Sequence, residues 1–304
     1  IEEQKRLTSF ETKASHHSQR QDGGKSMNLD SRIDRIIAEE LGRHVHKHTP
    51  HCNWCWTCPE CKSEFVSHVV GQGACRVGAA PGIGQLHDGL AQYIDHTLLK
   101  PEGTRAQIET LCKEAAEYHF ASVCVNPTWV AFCAHLLRGT GVLVCTVVGF
   151  PLGATTTEAK IFEARQVVEQ GACEVDMVVN IGRLKSGEYD FVAHDIAEIV
   201  KASQPAHVKV IIENCYLTDE EKIKASLLCR EAGAHFVKTS TGFGPSGAKI
   251  EDVALMRRVV GEQLGVKAAG GIREFQTAEK MIEAGATRLG ASASIAIVEH
   301  KKAA

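Results

Sequence analysis

The segment His235-Phe236-Val237-Lys238-Thr239-Ser240-Thr241-Gly242 is followed further along by Val266-Lys267-Ala268-Ala269-Gly270-Gly271. In each, a short strand-like apolar run carries a lysine and leads into a glycine-containing turn. A lysine usually sits on the wet face of a helix. One placed on an apolar strand is set up for carbonyl chemistry, because a desolvated amine can lose its proton and attack.

Outward from this pair, strand-like and helix-like patterns alternate from residue 91 to the end of the chain. The pattern predicts strands at 92–96, 122–125, 142–148, 174–179, 207–213, 235–239, 266–269 and 287–291. It predicts helices at 104–118, 127–138, 155–170, 190–203, 218–231, 249–263, 274–284 and 292–300. Alternation of this kind calls for a parallel sheet with crossover helices. Eight repeats fit a closed (β/α)8 TIM barrel spanning 85–304 better than an open doubly wound sheet.

Composition agrees with an enzyme-sized globular chain: 304 residues, 44% hydrophobic and 23% charged. A formal net charge of −3 offers no concentrated basic face for nucleic acid. No run of about 18 apolar residues calls for a membrane span, and the N-terminus lacks the apolar stretch of a signal peptide. The cytoplasm is the expected compartment. Singly scattered cysteines (Cys112, Cys124, Cys133, Cys145, Cys173, Cys215, Cys229) fit it as small buried thiols.

Barrels of this class carry catalytic groups at strand C-termini and often bind phosphate at the loops after strands 7 and 8. Those loops read Gly270-Gly271-Ile272-Arg273 and Gly290-Ala291-Ser292-Ala293-Ser294. Consecutive glycines let backbone N–H groups converge on an anion, and Ser292 stands where the last helix is expected to begin. On strand 4, alternation puts Glu174, Asp176 and Val178 on one face; on strand 5 it does the same for Lys209, Ile211 and Glu213. Charges therefore face the barrel interior. At this level a structural ion network of Lys209, Asp176 and Lys267 competes evenly with a catalytic one.

Several motifs, in order, resemble those of the deoxyribose-phosphate aldolase family. They are Tyr93-Ile94-Asp95-His96-Thr97-Leu98-Leu99-Lys100-Pro101, Val148-Gly149-Phe150-Pro151, Glu174 through Asn180, Lys209 through Glu213, Phe236 through Gly242 and Lys267 through Arg273. The resemblance runs from about residue 91 to 300. It implies a class I aldolase that reversibly cleaves 2-deoxy-D-ribose 5-phosphate to acetaldehyde and D-glyceraldehyde 3-phosphate, with no cofactor for catalysis. It further implies that Lys238 is the Schiff-base lysine, Lys267 the second active-site lysine and Asp176 the proton-transfer acid. Asp95 and Thr97 resemble the polar pair of the first strand. Thr241, Gly242, Gly270, Gly271, Arg273, Gly290 and Ser292 complete the expected substrate site. A cation about 6 Å from Lys238 would favour its neutral form by about 3 kcal/mol at an effective dielectric near 20. Another Schiff-base sugar-phosphate aldolase is the runner-up reading, and a metal- or scaffold-binding protein with a vestigial barrel stands behind it. Phe243-Gly244 departs from family members that have a lysine after the Thr-Gly pair, which leaves more of the anion to Arg273 and backbone amides. Cys124, ahead of Asn126-Pro127, reads as a packed core thiol or a pocket residue.

The N-terminal part lies outside the resemblance. Residues 1–26 are polar and read as a disordered tail. Residues 27–43 contain Leu29, Ile33, Ile36, Ile37 and Leu41 at helical spacing and read as an amphipathic helix. Residues 44–84 form a His/Cys-rich segment and a Gly-rich linker. Cys52, Cys55, Cys58 and Cys61 read as a zinc site, an iron–sulfur site or a reduced cysteine tract; the spacer between the two pairs is short for a zinc ribbon. The 29–41 helix either docks on the barrel or resembles the encapsulation peptides of bacterial microcompartment cargo, with a shell or scaffold protein as partner. A homo-oligomer is expected.

Overall fold

The computed structural model describes residues 89–300, together with Arg35. The tail at 1–26, the 29–41 helix apart from Arg35, and Cys52, Cys55, Cys58 and Cys61 therefore lie outside the described residues. Eight strands form one closed parallel barrel in sequence order. They are β1 (Ile94–Leu98), β2 (Ser122–Val125), β3 (Leu143–Val148), β4 (Glu174–Val178), β5 (His207–Ile211), β6 (Phe236–Lys238), β7 (Gly265–Ala269) and β8 (Arg288–Ala291). The seam closes where β1 pairs with β8, Asp95 opposite Gly290.

The helices between them are α1 (Arg105–Tyr118), α2 (Val130–Leu136), α3 (Thr157–Glu169), α4 (Ile181–Lys185), α5 (Tyr189–Ala202), α6 (Asp219–Glu231), α7 (Ile250–Val260), α8 (Phe275–Glu283) and α9 (Ser294–Val298). Their starts are written locally. Thr104 with Gln107 and Thr218 with Glu221 form capping boxes at α1 and α6. Each helix points its N-terminus, with its free N–H groups, toward the rim where the strands end.

Strand residues that face the helices are apolar and fully buried: Val123, Val144, Val175, Met177, Val208, Val210, Val237, Val266, Ala268 and Leu289 belong to one continuous core. Burial on both faces explains why these strands read as near-continuous valine runs. The inward-facing set differs sharply. It includes Asp95, Glu174, Asp176, Lys209, Lys238 and Lys267, all at most 2% exposed. Phe236, at the start of β6, sits under this cluster, with Lys209 5.9 Å and Arg288 5.5 Å from its ring centre. Gly265, opposite it on β7, leaves room for the ring; a Cβ there would fall 2.1 Å from it.

Among the departures from the sequence expectation, these bear on the site. The first strand begins at Ile94, not 92, because Leu90–Tyr93 turns as a 3-10 helix. The fifth ends at Ile211, because Glu213 adopts a left-handed conformation (φ 54) that no strand continues through. The short α4 was not expected, and Asn180 caps it by accepting from the Arg183 N–H. The last helix starts at Ser294, so Ser292 precedes it by two residues.

Candidate active site

The interior charges meet on Asp176. Lys238 donates to Asp176 Oδ2 at 2.7 Å, and Lys267 donates to the same oxygen at 2.7 Å. Lys209 donates to Oδ1 at 2.9 Å and to Glu174 Oε2 at 2.7 Å. Strand register produces this arrangement: Lys238 lies directly opposite Lys267, and Asp176 directly opposite Lys209. Lys267 also reaches Asp95 Oδ2 at 2.5 Å. Below them Arg288 bridges Asp95 Oδ1 at 2.6 Å and Glu174 Oε2 at 2.9 Å, and Ser122 donates to Asp95 Oδ1 at 2.7 Å.

Burial alone would favour the neutral form of every one of these groups. Mutual attraction overrides it. Burial opposes the charge of Asp176, yet Lys209, Lys238 and Lys267 hold its carboxyl well below the ordinary carboxylate range. Arg288, Lys267 and Lys209 do the same for Asp95, again against burial. Lys267 is held protonated in turn: burial pulls its ammonium down, and Asp176 and Asp95 push it well above the usual lysine range. Lys209 is raised likewise by Asp176, Cys145 and Glu174. Three carboxylates thus face four cations in direct contact. One positive charge is surplus, and removing one proton from the cluster leaves it neutral.

Lys267 was expected to act on Lys238 as a bare neighbouring cation. Its charge is in fact compensated by two carboxylates, Asp95 and Asp176, so the field it exerts on Lys238 is weaker than a lone charge at 6 Å would give. The structural ion network and the proposed catalytic set are one object. Lys238 stands at its rim end and Arg288 at its floor.

Thr97 donates to its own strand's Asp95 carbonyl at 2.8 Å and is half-buried. Thr241 is fixed by Glu213, which accepts from both its hydroxyl and its N–H. Sequence reasoning singled out neither Glu213 nor Arg288. Glu213 was legible only as an alternating strand residue, and no local pattern marks Arg288.

The loops after β6, β7 and β8 converge at the rim. Gly270 and Gly271 both have left-handed backbone (φ 87 and 81). Ala248 N–H donates to Gly270 O at 3.0 Å, tying the loop after β6 to the loop after β7. No atom lies within 4 Å of a Cβ built on Gly271, so the loop opens to the mouth there. Gly242, Arg273 and Ser292 are exposed at the same rim. Gly290 has a different surrounding: a Cβ on it would lie 3.2 Å from Lys267 Cε and 3.0 Å from Ala269 Cβ, so its missing side chain makes room for the stem of Lys267. Cys124 packs with Leu99, Cys145, Val147 and Phe150 in a buried apolar cluster, so it is a packed core thiol, and the Phe150 ring meets that of Phe243 edge-on with 5.3 Å between centres.

Residues 90–300 match the model of the DeoC/LacD family aldolases. A deoxyribose-phosphate aldolase of Caldanaerobacter subterraneus subsp. tengcongensis is 60% identical over 217 residues, 70% of this chain and 94% of that protein. One from a Geobacillus species is 58% identical over 219 residues, 72% and 98%. Among solved structures, the aldolase QR15 superposes with a TM-score of 0.67 at 43% identity, covering 70% of this chain and 96% of that one. The tetrameric deoxyribose phosphate aldolase from Aeropyrum pernix gives 0.65 at 34% identity, covering 76% and 95%. With a barrel whose inner lysines share one carboxylate and a family match over the whole of it, the chain belongs to the DeoC/LacD aldolases.

Proposed function

We propose that the protein reversibly cleaves 2-deoxy-D-ribose 5-phosphate into acetaldehyde and D-glyceraldehyde 3-phosphate through a Schiff base on Lys238. The observation that carries this reading is a lysine at the rim end of a buried charge cluster whose other members are held in fixed ionisation states. The neutral Lys238 amine adds to the open-chain aldehyde carbon, and the carbinolamine loses water to an iminium. The iminium withdraws electrons as the bond between C2 and C3 breaks, and the C3 hydroxyl gives up its proton. The enamine left on Lys238 takes a proton at C2, and hydrolysis frees acetaldehyde. Asp176, in contact with both lysines, relays these protons, and Lys267, anchored by Asp95, keeps Asp176 in place. Because the iminium itself polarises the carbonyl, this route needs no cofactor.

Gly242, Gly270, Gly271 and Ser292 supply backbone and hydroxyl donors to the phosphate, and Arg273 supplies the counter-charge. Thr97 and Thr241 border the sugar chain. We also propose a homo-oligomer: the solved relative from Aeropyrum pernix is a tetramer, and Leu152 and Phe162 are 73% and 70% exposed. The proposal of a shell or scaffold partner rests on the sequence of the 29–41 segment alone. Among the described residues no helix is long and apolar enough to cross a membrane.

The decisive experiment couples acetaldehyde release from deoxyribose 5-phosphate to borohydride trapping and peptide mapping. The adduct is expected on Lys238, and Lys238→Arg is expected to be folded, untrapped and inactive, because guanidinium stays protonated. An adduct on Lys209 or Lys267 overturns the assignment.

A further inference from the structure

Two thiols lie inside the barrel, beside the catalytic cluster, and the aldolase chemistry uses neither. Cys124 on β2 and Cys145 on β3 are direct register partners on adjacent parallel strands, and both are fully buried. Their sulfurs and a carboxylate oxygen of Asp176 lie within 4.8 Å of one another. Cys145 Sγ donates to Asp176 Oδ1 at 3.2 Å and accepts from Lys209 Nζ at 3.3 Å. Neighbouring strands run about 4.8 Å apart. That spacing falls within the Cα separations, about 4.4–6.8 Å, that a disulfide spans.

We propose that Cys124 and Cys145 form a reversible disulfide that switches the aldolase off under hydroperoxide stress. The Cys124 thiolate attacks one peroxide oxygen, breaks the O–O bond and becomes a sulfenic acid, while the other oxygen leaves as water or an alcohol after taking a proton. Cys145 then attacks the sulfenic sulfur, its proton leaves with the hydroxyl as water, and the S–S bond forms. Two thiols are oxidised and one peroxide is reduced. The neighbouring Cys145 thiol, with help from Lys267 and Lys238, makes Cys124 the more acidic thiol against burial. Burial holds Cys145 well above the ordinary thiol range. Nucleophile and resolving thiol are thereby distinguished. The Lys238 side chain is itself only 3% exposed and, in the aldolase reading, still meets a substrate larger than a peroxide.

The effect on the reaction follows from what Cys145 now holds. A disulfide sulfur has no proton to donate to Asp176, and closing the S–S bond to about 2.0 Å draws it away from both Asp176 and Lys209. Asp176 loses a donor and Lys209 an acceptor.

The proposal rests on the aldolase reading for its activity readout, but the chemical linkage can be mapped without it. The full chain is treated with hydrogen peroxide, and the rate of acetaldehyde release is compared with the same protein's untreated rate. Expected are at least a tenfold loss, recovery with dithiothreitol, and a non-reduced peptide map joining the Cys124 and Cys145 peptides. Cys124→Ser and Cys145→Ser, each normalised to its own untreated rate, are expected to lose less than twofold. Inactivation without that linkage, linkage of Cys112 to Cys133 accompanying the loss, or equal sensitivity of the serine variants overturns the proposal. If the untreated chain releases no acetaldehyde while the linkage forms, the aldolase reading fails and the disulfide stands.

Discussion

Lys238 and Lys267 donate to one and the same oxygen of Asp176, each at 2.7 Å. Two ammonium groups normally repel at such range, and the shared carboxylate is what makes their approach tolerable. It also makes them inequivalent. Lys267 has a second carboxylate, Asp95, and is fully buried, whereas Lys238 has Asp176 alone and stands at the rim. The lysine with fewer anions is thus the one nearer the mouth of the barrel.

Removing Lys267 should therefore harm both chemistry and fold. Lys267→Leu leaves Asp95 and Asp176 buried with one cation fewer, a loss that costs about 3–5 kcal/mol when a buried pair is broken. It also frees Asp176 to turn away from Lys238. A fall in kcat of at least about a hundredfold is expected, together with a lower urea midpoint. If only the midpoint falls and kcat is kept, Lys267 is structural and its proposed role is wrong.

Acid should dissolve the cluster from its carboxylate side. The folded values of Asp95, Glu174 and Asp176 lie below the ordinary carboxylate range. A depressed folded value means stability that is complete above the unfolded value, near 4, and is lost as pH falls below it toward the folded one. The raised lysines, Lys209 and Lys267, act in the opposite sense: their contribution is complete below the free lysine value of 10.5 and is lost as pH climbs beyond it. Urea midpoints of the native protein and of Asp95→Asn, measured from pH 7 down to pH 2, should converge below about pH 4. A constant gap across that range would mean that Asp95 stabilises the barrel without its charge.

The phosphate proposal separates charge from shape. Gly271→Asp and Ser292→Glu each put a negative charge where the anion is to sit. KM for deoxyribose 5-phosphate should rise at least about tenfold, and KM for unphosphorylated deoxyribose much less. Gly271→Ala controls for backbone strain at φ 81, because it strains the turn without charge. Equal losses on the two sugars in all three variants would reduce these loops to shaping the barrel.

The barrel and its charged lining were legible because strand periodicity is a local property. Alternation placed Asp176 and Lys209 on interior faces, and helix starts such as Thr104 and Thr218 carry their caps with them. Three-dimensional closure was not legible. Arg288 meets Asp95 and Glu174 only because β8 returns beside β1, nearly the whole length of the barrel later in sequence. Glu213 read as strand because the residues before it are apolar, whereas its side chain turns to a partner, Thr241, in the loop after β6. The helix start at Ser292 was misplaced for a related reason. Ser294, not Ser292, is held in position, through its bonds to Ala291 O and His96 Nδ1.

The extension ahead of the barrel should be dispensable for catalysis. All eight strands begin at or after Ile94, the seam is closed by β1 against β8, and Leu90 already belongs to the core. A cut at residue 84 removes none of this, so deletion of residues 1–84 should leave kcat/KM within about threefold, as expected where catalytic groups sit on the strands of a closed barrel. The same deletion should abolish any zinc or iron retained by the full chain, read by elemental analysis, because Cys52, Cys55, Cys58 and Cys61 go with it. It should equally abolish co-sedimentation with a shell or scaffold protein. A truncated barrel that is insoluble or inactive would instead make the 29–41 helix part of the barrel's own packing, and the targeting role would have to be given up.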